Sequence, residues 1–154
     1  MKKLIIIFFI FTNPLFAQTI QPLTNYSFED LVENENANHF VLEGCISLYS
    51  AITELTKKRY PEMANEFFEI ANTLYPYGII SLSKIKKISY EEAEKFFFTN
   101  VNTLTNEYID EMSRNGEKNG SYFKGSFIGD DLSFCHEVTK FFNLVISESV
   151  INTN

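Results

Sequence analysis

Apolar residues recur along this chain at helical spacing. Val41, Cys45, Leu48, Ile52 and Leu55 stand four, three, four and three positions apart, which puts them on one face of a helix over about 38–59. Gly44 inside that stretch lowers helix stability but lets a neighbour approach closely. Pro61 suits the first position of a second helix, whose Met63, Phe67, Ile70 and Leu74 repeat the spacing until Pro76, which is predicted to end it. The two should pair as a hairpin. A short helix over 78–87 would bury Ile79, Leu82 and Ile85. Ser89 and Glu92 then have capping-box spacing, after Ile88 in staple position, and open a long helix to Arg114. Its stripe is Ala93, Phe97, Val101, Leu104, Tyr108 and Met112, and Asn115-Gly116 is predicted to close it.

The flanks are less regular. Residues 18–25 are polar and contain Pro22, so they read as a loose lead-in to a helical turn over Phe28–Glu33, capped by Ser27 with Asp30. Asn34, Asn36 and Asn38 are predicted to interrupt any helix running straight on. Four of the six glycines, at 116, 120, 125 and 129, fall between Asn115 and Gly129, interleaved with Tyr122, Phe123, Phe127 and Ile128. This is predicted to be a long irregular segment. A last helix begins at Asp130 or Asp131, acids that suit a helix N-terminus, and buries Phe134, Val138, Phe141 and Val145. With no internal repeat and no competing strand period, the expectation is an all-α fold. It is a single compact bundle of about five helices, with a long Gly-rich loop before the last helix.

The first residues change the picture. Two lysines precede an apolar run from Leu4 to Phe11, then Pro14 and the small residue Ala17, which is the order of a secretory signal peptide of bacterial type. The run is shorter than the roughly 20 apolar residues that cross a bilayer, and Pro14 stops it lengthening. Residues 1–17 are therefore expected to be cleaved, leaving residues 18–154 as one domain with no membrane insertion. No cysteine follows the leader to receive a lipid, so the expected location is periplasmic or secreted and the protein is not a lipoprotein.

Charge narrows the partners. The whole chain carries −7, and removing Lys2 and Lys3 with the leader takes the remainder to −9. Such a surface repels phosphate backbones and anionic headgroups, which argues against nucleic acid and lipid surfaces and for another protein, in particular a basic one.

Candidate chemistry is sparse. Cys45 and Cys135 are the two cysteines, and in an oxidising compartment they are expected to form a disulfide. If five main helices alternate up and down, the first and last run parallel with both cysteines near their N-terminal ends, which favours the same pairing. His39 and His136 next to these cysteines suggest a metal set, but adjacent helix residues diverge by about 100°, so Cys135 and His136 do not face one ion. The same divergence disfavours a Cys135 nucleophile with His136 as base, and His136-Glu137 lacks the second histidine of a zinc-protease signature. Lys124-Gly125-Ser126 has the wrong order for a phosphate loop. No metal or cofactor is expected.

The segment between Asn115 and Gly129 offers Tyr122, Phe123 and Phe127 as a candidate binding surface, against the alternative that these rings fold back over the bundle. No motif is diagnostic of a family. An exported helical domain with one disulfide and an acidic surface is similar in build to envelope proteins that neutralise cell-wall hydrolases, including immunity proteins against secreted amidases. That likeness implies a non-enzymatic binding or inhibitory role. Two alternatives are an exported wall hydrolase using carboxylates such as Glu107, Asp110 and Glu111, and a structural or assembly protein of the envelope.

Overall fold

The computed structural model describes residues 20–151, and side chains over 20–144. The expected leader over 1–17 and the side chain of Val145 lie outside the described residues. Within them the chain forms a 3-10 turn, Leu23–Asn25, and five helices: α1 (Phe28–Glu33), α2 (Glu35–Thr56), α3 (Pro61–Lys86), α4 (Tyr90–Asn119) and α5 (Phe127–Ile151). No strand occurs among the described residues.

Both capping boxes form. Ser27 and Ser89 each accept the backbone N–H three residues on, while Asp30 and Glu92 reach back to the cap. Those hydrogen bonds to Ser27 and Ser89 hold the two carboxyls below the usual carboxylate range. The asparagines behave differently from expectation. Asn34 alone breaks the chain, its side chain capping α2 through the N–H groups of Asn36 and Ala37, and Asn36 and Asn38 continue as helix.

Pro76 does not end its helix. The predicted helices over 61–76 and 78–87 are one element, α3, with Pro76 inside it. An interior proline removes the hydrogen bond to the carbonyl four residues earlier and costs about 3 kcal/mol. Here Asn72 and Pro76 are both exposed, so water reaches that carbonyl, while Leu74, Ile79 and Leu82 anchor the helix on its buried side. Gly78 follows, and a Cβ there would lie 2.2 Å from Cζ of buried Phe97, so α3 and α4 approach where only glycine fits.

The connection before α5 is also shorter than predicted. Helix α4 continues through Gly116 to Asn119 and ends at Gly120, whose φ of 70° is the left-handed cap glycine adopts freely. Helix α5 already contains Phe127, Ile128 and Gly129. The expected fifteen-residue loop thus shrinks to residues 120–126.

Packing follows the stripes. Helices α2 and α3 form the hairpin, with Tyr49 against Phe67 at 5.6 Å and Thr53 Oγ1 donating to the Ala64 carbonyl. Helix α4 runs beside α2 in the same direction, since His39 meets Phe97, Glu43 meets Asn100, and Ser47 meets Val101 and Thr105. The last helix is rotated from its expected stripe: Phe134 and Phe141 are half-buried, and Ile128, Asp131, Cys135, Val138, Thr139 and Phe142 face inward.

The bridge between Cys45 and Cys135 is present, with Cα atoms 5.3 Å apart, and both residues are fully buried. The topological reason given for it does not hold. With α3 unbroken, α2 and α5 have opposite parity in an alternating bundle. Instead α5 meets α2 at the bridge and at Tyr49 Oη and Thr139 Oγ1, 3.1 Å apart, before Phe142 reaches Tyr77 on α3. Among the described residues no helix is long and apolar enough to cross a membrane.

Candidate functional site: an acidic groove between α2 and α4

The three expected surface residues are not presented on one exposed face. Tyr122 is 41% exposed, with its ring laid over Gly116, whereas Phe123 and Phe127 are half-buried and pack against the core. Residues 120–126 form a hydrogen-bonded knuckle organised by Asn115, which is itself nearly buried. Its Nδ2 donates to the carbonyls of Ser121 at 2.7 Å and Lys124 at 3.1 Å, and its Oδ1 accepts from Asn119 Nδ2 at 2.6 Å. Of the three aromatic rings, Tyr122 is the one offered to solvent.

The cysteines form a structural link, and the metal reading has no support in their placement. Cys45 is bridged, His136 is exposed, and His39 lies 3.2 Å from Glu43 on its own helix. No group of three or more His, Cys, Asp or Glu among the described residues is placed to hold a metal ion.

A different site emerges from charge. Between Ile20 and Thr56 the chain has six carboxylates, Glu29, Asp30, Glu33, Glu35, Glu43 and Glu54, and no lysine or arginine. Between Phe96 and Ser113 it has three more, Glu107, Asp110 and Glu111, again without a cation. Of these, Glu29, Asp30 and Glu33 lie on α1, while Glu35, Glu43 and Glu54 lie on α2, which runs beside the centre of α4. Between them runs a groove of about 460 Å3 lined by Ile20, Gln21, Leu23, Phe40, Glu43, Asn100, Thr103, Leu104, Glu107 and Tyr108. Glu43 is fixed there: its Oε2 faces His39 Nε2 at 3.2 Å and accepts from Asn100 Nδ2 at 3.2 Å. Of the carboxylates expected for a hydrolase, Glu107 lines this groove; Asp110 is exposed and Glu111 pairs with Arg114.

One wall of the groove is the lead-in expected to be loose. Leu23 is buried over Gly44, where a Cβ would lie 2.5 Å from Leu23 Cδ2, so the glycine makes the niche the leucine fills. Behind it, Asp131 of α5 is fully buried and its Oδ1 accepts the N–H groups of Leu23 at 2.8 Å and Thr24 at 3.3 Å. Asp131 Oδ2 and Tyr108 Oη are buried facing each other, and neither has any other hydrogen-bond partner. Burial pushes the Asp131 carboxyl up to about 6, against the opposing pull of the Thr24 and Leu23 N–H groups and of Tyr108. Burial also raises the Tyr108 phenol, and the charge of Asp131 raises it further.

Sequence reasoning took Asp130 and Asp131 together as solvated acids at a helix N-terminus. Asp130 is exposed as expected, but the next position turns about 100° into the core, where its partners come from the far end of the chain. The missing signal was the pairing of an unbroken anionic run over 20–56 with the cation-free stretch of α4. No protein family, curated protein or solved structure matches this chain, so the functional reading rests on its own residues.

Proposed function

We propose that this is an exported, non-enzymatic binding protein that engages, and so inhibits or neutralises, a basic protein of the cell envelope. The observation that carries this reading is the groove between α2 and α4, whose lining includes the carboxylates of Glu43 and Glu107 and no lysine or arginine. A field of one sign speeds encounter with a partner of opposite charge and disfavours wrong partners. Wall-degrading enzymes that hold an anionic polymer are often basic, which makes them the natural class of target. The disulfide suits a protein that works in an oxidising compartment, where the leader-like residues 1–17 would send it.

A second reading has one observation in its favour. Glu43 and Glu107 line the same groove, and two carboxylates flanking a cleft are the minimum for acid–base hydrolysis of a glycan. A turbidity assay on isolated cell walls separates the two. The domain added to a basic wall hydrolase should slow clearing, while the domain alone should clear nothing. Clearing by the domain alone that is lost in Glu107→Gln would establish the hydrolase reading, and no effect on any basic hydrolase tested would count against inhibition.

A further inference from the structure

We infer that the groove between Ile20–Leu23, α2 and α4 receives a lysine or arginine side chain of the basic partner, its cation held between Glu43 and Glu107. The inference rests on the binding reading above and gives it a site. Three observations converge on it. The groove has carboxylates and no cation among its lining residues, whereas the hollow beside Tyr122 contains Arg59, that beside Phe123 contains Lys124, and that beside Val32 and Ile80 contains Lys84. Each of those three balances its cation with one acid, Glu117, Asp130 and Glu35 respectively, so of the four the groove alone has a net negative lining. Ile20, Phe40 and Leu104 supply apolar wall for the aliphatic stem of a long basic side chain, which gains by burying its methylenes while its head keeps polar company.

The third observation is that Glu43 is already oriented by His39 and Asn100, so little ordering is left to do when the cation arrives. An arginine or lysine flanked by its own backbone fits a groove of about 460 Å3.

The test uses the disulfide-bonded domain and hexalysine as probe, at low salt, with affinity read by calorimetry and folding by circular dichroism. Hexalysine should bind the wild type. Glu43→Gln with Glu107→Gln should weaken it about ten-fold. Thr103→Lys, at an exposed groove position, should weaken it as strongly by placing a competing cation on the rim. Glu91→Gln with Glu94→Gln removes the same charge outside the groove and should weaken it less than about two-fold. Equal losses in the two double variants would overturn the groove and leave the basic-partner reading standing. Failure of hexalysine to bind the wild type would overturn both. Cadaverine binding as tightly as hexalysine would overturn the assignment to a polypeptide side chain.

Discussion

Asp131 Oδ1 accepts the backbone N–H of Leu23 at 2.8 Å, joining α5 to a segment 108 positions earlier. This contact fixes the lead-in as a wall of the acidic groove, and it does so with a buried carboxyl whose pKa lies near 6. A folded-state pKa above the ordinary 3.8 means that the protonated form is the better tolerated one. Its stabilising contribution is therefore complete below pH 4 and is lost as pH rises through about 6. The full swing is about 3 kcal/mol or less.

Asp131→Asn removes that titration while keeping the contacts. The amide oxygen still accepts from Leu23 and Thr24, and the amide nitrogen can donate to Tyr108 Oη. Urea melts between pH 4 and 7 should show the wild type losing stability with rising pH and the variant nearly flat, so that the variant is the more stable at pH 7. A variant less stable than the wild type at pH 7 would mean that the charged carboxylate is what holds the lead-in.

The knuckle separates two rings that are neighbours in sequence. Phe123→Ala should destabilise the domain by about 1–3 kcal/mol, because its ring packs against the core. Tyr122→Ala should cost less than about 0.5 kcal/mol. Thermal melts of the two single variants check this. A partner-binding defect in Tyr122→Ala with an unchanged melt would bring the knuckle into the interface alongside the groove.

Cys45 and Cys135 close a loop with a sequence separation of 90. In the chain-entropy model this restricts the unfolded chain by about 4.6 kcal/mol. Thiol labelling of the unfolded, unreduced protein should find no free cysteine, and reduction should lower the melting temperature. A melt insensitive to reduction would mean that the contact of Tyr49 with Thr139 and the apolar packing suffice at that crossing.

Much of the fold was legible where partners are local. The stripes of α2 and α4 and the boxes at Ser27 and Ser89 form as their spacings require, because caps and amphipathic faces are set within a few residues. Pro76 and Gly116 were read as breaks for the same local reasons, yet both lie inside helices. Their cost is offset by tertiary burial that a single segment cannot display. The groove was hidden for a further reason. It depends on which of two adjacent acids turns inward, and on Leu23 finding Gly44, and neither is written in local spacing.

The central claim is that the α2–α4 face receives a basic protein through its groove. The most direct measurement is a nitrogen-15 amide spectrum of the disulfide-bonded domain titrated with hexalysine. Shifts concentrated at Gln21–Leu23, Glu43, Asn100, Thr103 and Glu107, saturating together, are the predicted result. Shifts spread evenly over the acids at Glu91, Glu94, Asp110 and Glu111, or no shifts at all, would contradict it.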